Sequence, residues 1–191
     1  MTGVSAEAVV IGASAGAVEA LSVILPSLPA DYRLPVFVVV HVPPDVKSIL
    51  AELFQAKCKI EVREAEDKEP IKGGTAYFAP ADYHLLVETD KSLSLSNDEA
   101  VLYSRPSVDV LFESAADVYG PGLVAVVLTG ANQDGARGLR AVADAGGRAI
   151  AQEPEGAYAS AMPKAAIAKC PHARVLSLQE IAVYLQDVEK V

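Results

Sequence analysis

The amino-acid sequence predicts a doubly wound α/β fold, in which a mostly parallel sheet lies between two layers of helices. Apolar runs of strand length alternate along the chain with stretches whose apolar residues recur at helical spacing. Runs such as Val36–Val40 are apolar at every position, as expected of parallel strands covered on both faces. Hydrophobic residues make up 51% of the chain but aromatic residues only 6%, which suits a sheet packed between helices.

Length and composition restrict the domain organisation and the class of protein. A chain of 191 residues fits a single domain over residues 1–191. Its net charge is −9 and it has no basic cluster, which disfavours nucleic acid as a partner. No apolar run approaches the roughly 20 residues of a membrane span, and no secretory signal is visible. We therefore expect a cytoplasmic protein without membrane insertion, in which Cys58 and Cys170 are reduced thiols.

The chain opens with a strand, a turn and a helix. The apolar run Ala8–Ile11 ends at the small-residue turn Gly12–Gly16. Apolar residues then recur at helical spacing, which predicts a helix that Pro26 and Pro29 bring to an end.

A second buried strand and a second helix follow. Val36–Val40 is the predicted strand, and His41 comes directly after it. Asp45 is a candidate cap for the helix, whose apolar positions form a single stripe. That stripe consists of Val46, Ile49, Leu50, Leu53 and Phe54.

The middle of the chain predicts short strands with less parallel character. The strand-like pieces are Ile60–Val62, Thr75–Ala79, His84–Glu88 and Ser92–Ser96. The residues between the last two, Thr89–Lys91, are typical of a hairpin turn. We expect this stretch to form an antiparallel hairpin extension of the sheet.

The second half of the chain returns to alternating helices and strands. A helix is predicted from Ser107 to Tyr119, with the segment Gly120–Gly122 as its stop. The later elements are the strand Leu123–Leu128, a helix between Asp134 and Gly146, the strand Arg148–Gln152, a short helix opened by Pro163, the strand Val175–Leu176, and a C-terminal helix with a Ser177–Glu180 capping box.

Three polar residues follow three of the predicted buried strands: Ser14, His41 and Asp134. Ligands of open parallel sheets bind outside the carboxyl ends of the strands, so these side chains are expected at one edge. A serine hydroxyl needs a base to become a nucleophile, and a carboxylate orients an imidazole for that role. Each residue also has a simpler interpretation, since Asp134 could cap its helix and Ser14 could belong to a plain turn.

The turn around Ser14 matches the nucleophile-elbow pattern G-x-S-x-G. A helix that begins just after Ser14 would present backbone N–H groups to an oxyanion. The chain order of serine, histidine and aspartate differs from that of ordinary α/β-hydrolases, and G-x-G-x-x-G is absent. His84, inside a strand, and His172, in a loop, are the weaker candidates for a base.

Several separated motifs are more specific together than the elbow alone. They are Val10-Ile11-Gly12-Ala13-Ser14-Ala15-Gly16, Val40-His41-Val42-Pro43, Tyr77-Phe78-Ala79-Pro80 with His84, Arg105-Pro106-Ser107-Val108-Asp109, Leu128-Thr129-Gly130-Ala131-Asn132-Gln133-Asp134-Gly135 and Ala161-Met162-Pro163. With these motifs the chain resembles the catalytic domain of the chemotaxis protein-glutamate methylesterase (CheB) family, from about Ala8 to Leu185.

The resemblance implies that Ser14 is the nucleophile, His41 the general base and acid, and Asp134 the orienting acid. It implies a glutamate γ-methyl ester as substrate, on the helical cytoplasmic region of a methyl-accepting chemoreceptor, with glutamate and methanol as products. Some family members also deamidate receptor glutamines. This chemistry calls on no cofactor and no metal ion.

The resemblance also implies an oxyanion site. Ala131 stands where the family has a residue thought to donate a backbone N–H, and Ala15 and Gly130 are the further candidates for oxyanion or substrate binding. Several positions depart from the family pattern: Ala15, Ala17, Val40, Ala131-Asn132 and Ala161. These departures keep two alternatives open, a stand-alone esterase on another acyl substrate and a catalytically weakened chemosensory adaptor.

The last expectations concern how the active site is controlled and how the receptor is recognised. The family usually carries an N-terminal receiver domain over its active site, whereas this chain begins at the catalytic domain. We expect an excised fragment or a stand-alone relative with an accessible site, and a receiver domain in trans is a candidate partner. Arg105, Arg137 and Arg140 either meet an acidic receptor helix or, as we favour, are solvated surface charges.

Overall fold

The computed structural model describes residues 4–43 and 49–190, the Lys190 side chain excepted. The strands are β1 (Ala8–Ala13), β2 (Val36–Val40), β3 (Glu61–Glu64), β4 (Thr75–Phe78), β5 (His84–Val87), β6 (Leu93–Ser96), β7 (Leu123–Val127), β8 (Arg148–Gln152) and β9 (Arg174–Leu176). The helices are α1 (Ala17–Ile24), α2 (Leu50–Gln55), α3 (Val108–Tyr119), α4 (Ala136–Asp144), α5 (Ala161–Lys169) and α6 (Leu178–Asp187). Short 3₁₀ turns occupy Leu25–Ser27, Gly120–Gly122, Pro154–Gly156 and Val188–Lys190.

Within the described residues, seven strands form one parallel sheet in the order β3-β4-β2-β1-β7-β8-β9. The predicted α/β fold with a mostly parallel sheet is confirmed. The hairpin of β5 and β6 is antiparallel as predicted, although it forms a sheet of its own. The prediction of antiparallel character was wrong for β3 and β4, which pair in parallel. Edge strand β3 carries exposed Glu61 and Glu64, so it lacks the continuous apolar run of a central parallel strand.

The predicted helix after His41 is confirmed only in part. Asp45 and Val46 lie outside the described residues, and helix α2 covers Leu50–Gln55. Phe54 is fully buried as the stripe predicts, whereas Ile49 precedes the helix and is 63% exposed. Ile49 therefore does not belong to the buried stripe.

Each face of the sheet packs against its own helices. The β1 residues Val9, Ile11 and Ala13 join a core with residues of α1, α2 and α6. Their neighbours Ala8 and Val10 join a second core with residues of α3, α4 and α5. This alternation is the period of two expected of a strand covered on both faces. None of the helices in residues 4–43 and 49–190 has the length and apolar character needed to span a bilayer.

The sheet order creates a crevice beside β1. This strand lies between β2 and β7, with Ala13 opposite Val40 and Gly12 opposite Val127. The chain leaves β1 through α1 toward β2, and it leaves β7 through α4 toward β8, on the other side. Where the connections of two adjacent strands diverge in this way, their carboxyl ends leave room for a ligand.

Gly12 lets helix α3 approach the end of β1. A Cβ atom on Gly12 would overlap Val108 Cγ1 and lie 2.7 Å from Val108 Cγ2. Val108 is the first residue of α3 and is fully buried, so it has little freedom to move aside.

We expect Gly12→Ala to lower the free energy of unfolding by about 1–3 kcal/mol, the usual cost of overpacking a core. Thermal unfolding of the variant and of the wild type measures this loss. Gly156→Ala is the matched control, because nothing lies within 4 Å of a Cβ added there. Equal midpoints for the two variants would contradict the close packing of α3 on β1.

Candidate active site

Helix α3 binds the buried carboxylate of Asp134 at its N-terminus. Asp134 Oδ1 accepts hydrogen bonds from Ser107 Oγ and from the Asp109 backbone N–H, both at 2.9 Å. Asp134 Oδ2 accepts one from the Val108 N–H at 2.7 Å. The positive end of the helix dipole favours a negative charge in this position. The alternative interpretation of Asp134 as a helix cap is wrong for α4, whose N-cap is Gly135.

These contacts keep Asp134 ionised. Burial by itself would raise the pKa of the carboxyl group. The hydrogen bonds from His41 and from the backbone of Asp109 and Val108 outweigh burial and hold the pKa of Asp134 below its ordinary value. Asp134 is therefore a carboxylate near neutral pH.

His41 contacts this carboxylate, and its tautomer follows from a closed set of hydrogen bonds. The Asp134 backbone N–H donates to Asn132 Oδ1 at 3.0 Å, which directs the Asn132 NH₂ group toward His41 Nδ1, 3.3 Å away. An amide NH₂ group can only donate, so Nδ1 is the acceptor. The proton is consequently on Nε2, which donates to Asp134 Oδ2 at 2.7 Å.

Ser14 lies half-buried at the end of β1, beside the loop that follows β7. Its backbone N–H donates to the Thr129 carbonyl at 2.9 Å. A Cβ atom on Gly130 would overlap the Met162 thioether and lie 3.0 Å from Ser14 Cβ, so the absence of a side chain at Gly130 leaves room for both residues. Within residues 4–43 and 49–190, no hydrogen bond joins the Ser14 hydroxyl to His41 or to another group.

The three residues predicted to bind the oxyanion or the substrate differ in whether their backbone N–H group already has a hydrogen-bond acceptor. In the described part of the chain, the N–H groups of Ala15 and Ala131 have no acceptor, and neither has that of Gly16. The Gly130 N–H donates to the Ala159 carbonyl at 2.9 Å. Ala15 and Ala131 therefore have a donor available for an anionic oxygen, and Gly130 does not.

A cleft of about 460 Å³ opens next to His41. Residues 41–43 and 103–106 line it, together with Asp82 and Ala100. The guanidinium of Arg105 donates to Asp82 Oδ1 from Nε at 3.0 Å and from Nη2 at 2.6 Å. In the chain as described, no group of three or more His, Cys, Asp or Glu side chains could hold a metal ion.

The three arginines expected near this edge are all paired with carboxylates. Arg105 pairs with Asp82 in the cleft, whereas Arg137 and Arg140 pair with Glu113 and Asp144 on the exposed surfaces of the helices. These contacts agree with the favoured interpretation of surface charge for Arg137 and Arg140.

Several polar residues that support the site were missed by the sequence analysis. Ser107 was named as the start of a helix and as part of a family motif, but no role at the site was predicted for it, although helices bind anions at that position. Its backbone N–H donates to His84 Nδ1 at 3.1 Å, and His84 Nε2 donates to the Glu99 carbonyl at 2.9 Å. His84 is thus a buried structural histidine, whereas His172 is exposed. Asn132 was noted only as a departure from a family pattern.

Asp109 is a second buried carboxyl group beside Asp134. Its Oδ1 accepts hydrogen bonds from the backbone N–H groups of Gly135 and Gly138, at 3.0 and 2.6 Å. Burial, and then the neighbouring charge of Asp134, raise the pKa of Asp109 to about 6. Asp109 ties the start of α4 to α3 and so supports the loop that carries Asp134.

Comparisons with known proteins match nearly the whole chain. Residues 9–185 match the family model described as CheB methylesterase. A Leptospira interrogans protein, provisionally named protein-glutamate methylesterase/protein-glutamine glutaminase, is 46% identical over 92% of this chain and 91% of its own length. An Archaeoglobus fulgidus protein with that name is 41% identical over 83% of this chain, but over only 46% of its own length. The crystal structure of the Thermotoga maritima CheB methylesterase catalytic domain superimposes with a TM-score of 0.91, at 35% identity, over 98% of this chain and 100% of that one.

We expect Asp109→Asn to remove a pH-dependent loss of stability. The pKa of Asp109 is about 6 in the folded protein and about 3.9 in an unfolded chain. Between these values the unfolded state loses its proton first, so the contribution of Asp109 to stability falls as the pH rises from about 4 to about 6. Asparagine stays neutral and retains an oxygen for both N–H groups.

Urea unfolding at pH 4.5 and pH 7.0 measures this effect. The stability of Asp109→Asn relative to the wild type should be higher at pH 7.0 than at pH 4.5. Asp117→Asn, an exposed position on the same helix, is the control and should show no such change. If the free energies of unfolding of Asp109→Asn and of the wild type differ by the same amount at both pH values, the raised pKa of Asp109 is contradicted.

Proposed function

The chain belongs to the CheB methylesterase family, and on that basis we propose that it is a protein-glutamate methylesterase. Its substrates are glutamate γ-methyl esters on the cytoplasmic helices of methyl-accepting chemoreceptors. The catalytic residues are Ser14, His41 and Asp134. The observation that carries the proposal is the contact between His41 and the ionised Asp134, at the sheet edge where Ser14 directly follows the adjacent strand β1.

The reaction begins with attack of Ser14 Oγ on the ester carbonyl carbon. His41 Nδ1 takes the serine proton, and the hydroxyl must displace the Asn132 amide from this nitrogen to donate to it. Asp134 holds the Nε2–H and stabilises the imidazolium that forms. The imidazolium then gives its proton to the departing methoxide oxygen, so methanol leaves and an acyl-serine remains.

The oxyanion of the tetrahedral intermediate accepts hydrogen bonds from the backbone N–H groups of Ala15 and Ala131. Such donors lower the barrier because they are already aimed at the developing charge, and one donor commonly contributes about 10²–10³ in rate. The alanine at either position does not weaken this function, since the donors belong to the backbone.

Water completes the reaction. His41 removes a proton from the water molecule, the resulting hydroxide attacks the acyl carbon, and Ser14 Oγ leaves with the proton from His41. The receptor regains a charged glutamate. A glutamine side chain can follow the same route with ammonia as the leaving group, which fits the glutaminase activity in the names of the relatives. A response-regulator receiver domain in trans remains a candidate partner of this site.

The decisive test is methanol release from a synthetic helical peptide that carries one glutamate γ-methyl ester. We expect Ser14→Ala and His41→Gln to lower kcat by roughly 10⁴-fold or more, as losses within a serine hydrolase triad do. Ser5→Ala and His172→Gln are matched controls at exposed positions and should keep wild-type rates.

Three other outcomes would count against the proposal in different ways. A Ser14→Ala variant as fast as the wild type would contradict the role of Ser14. Cleavage of p-nitrophenyl acetate without methanol release from the peptide would favour another acyl substrate. A wild type inert toward both esters would favour the adaptor alternative.

A further inference from the structure

We infer that Leu102, Tyr103 and Tyr158 form a contact surface for the substrate helix beside the active site. We call these three residues the hydrophobic rim. This inference rests on the proposed function, and it assigns to the rim the recognition of a helical protein substrate rather than the chemistry on the ester.

The exposed tyrosines of the chain are concentrated around this site. Tyr32, Tyr77 and Tyr119 are buried in the core. The exposed ones are Tyr83, Tyr103 and Tyr158. Tyr83 directly follows Asp82, Tyr103 itself lines the cleft beside His41, and Tyr158 contacts the turn after Ser14. Exposed aromatic side chains add nothing to a core, and tyrosine is enriched where proteins bind other proteins.

The conformation of Leu102 and Tyr103 is unfavourable for their residue type. Val101 and Ser104 exchange two backbone hydrogen bonds, at 3.0 and 2.8 Å, and so close a two-residue turn. The φ angles of Leu102 and Tyr103 are 48° and 63°, in the left-handed region that residues with a Cβ disfavour. Turns of this kind prefer Asn-Gly. The turn therefore presents two large apolar side chains at a cost in stability.

The turn is attached firmly to the active site. Arg105 donates to Asp82 and to the carbonyl groups of Asn97 and Asp98. Ser104 Oγ lies 3.4 Å from the Asn132 amide, which contacts His41. The backbone that carries Leu102 and Tyr103 is thus connected to the cleft wall through Arg105, and to the imidazole through Ser104 and Asn132.

Tyr158 is attached to the other part of the site, the turn that follows Ser14. A Cβ atom on Gly16 would lie 2.6 Å from Tyr158 Cβ, so this tyrosine packs on the turn that follows the serine. The next residue, Ala159, donates to Thr129 Oγ1 at 2.9 Å and accepts from the Gly130 N–H at 2.9 Å. Tyr158 as a whole residue is nevertheless 84% exposed. Exposed aromatic side chains therefore adjoin both the turn that follows Ser14 and the cleft beside His41.

A helix is the occupant that this arrangement fits. The paired state of Arg105 leaves no free guanidinium in the cleft to attract a charged group. An α-helix is about 10–12 Å wide with its side chains, so a helix whose glutamate ester enters the cleft also touches the residues at its edge. A small ester such as p-nitrophenyl acetate reaches the serine without needing these contacts.

The test compares kcat/KM on the methylated helical peptide with kcat/KM on p-nitrophenyl acetate. We define the ratio as kcat/KM on the peptide divided by kcat/KM on p-nitrophenyl acetate. In the double variant Leu102→Asn/Tyr103→Gly this ratio should fall about tenfold, which is the effect of losing one strong interface contact. The Tm of this variant should rise, because Asn-Gly suits the turn. Tyr158→Ala should lower the ratio in the same way. Val183→Ala, an exposed apolar residue on α6, is the control and should keep the wild-type ratio.

The outcomes separate this inference from the proposed function. If the wild type releases methanol and the rim variants keep the wild-type ratio, the hydrophobic rim is not the contact surface and the proposed function stands. If the wild type releases no methanol, the proposed function fails. An equal loss toward both substrates would overturn the inference, because the rim would then act on the chemistry of the site.

Discussion

The structure around the proposed site depends on one interaction, the binding of the Asp134 carboxylate by the N-terminus of α3. A buried carboxylate without partners is costly enough to threaten a fold of marginal stability. Here a hydroxyl and two backbone N–H groups satisfy it, and His41 adds a fourth donor. The carboxylate keeps its charge and its direction, and that direction decides which nitrogen of His41 carries the proton.

This interaction connects the fold to the site, because α3 reaches Asp134 only by packing closely on β1. The missing side chain at Gly12 makes room for Val108, and the Val108 N–H is one of the donors to Asp134. The loop after β7 then carries Asp134 and Gly130 to the end of β1, where Ser14 lies. Sheet order, helix packing and the position of the polar groups are therefore parts of one arrangement.

Much of this could be predicted from the sequence, because strand and helix periods are local signals. The same signals put Ser14, His41 and Asp134 after buried strands, and the structure brings two of these side chains into contact. The supporting contacts could not be predicted, since Ser107 and Asp109 meet Asp134 across more than 20 residues of chain. The direction of β3 was missed because a polar edge strand lacks the apolar run by which parallel strands are recognised.

The hydrogen bond between the Asn132 amide and His41 Nδ1 bears on the resting state of the protein. An imidazole nitrogen offers a single lone pair, and the amide already occupies it. In the proposed mechanism the serine is therefore latent until a bound acyl group moves the amide aside, and Ser104 Oγ, 3.4 Å away, can receive it. The resting Ser14 hydroxyl therefore stays protonated and weakly nucleophilic, so any ester, large or small, has to displace the amide before the serine reacts.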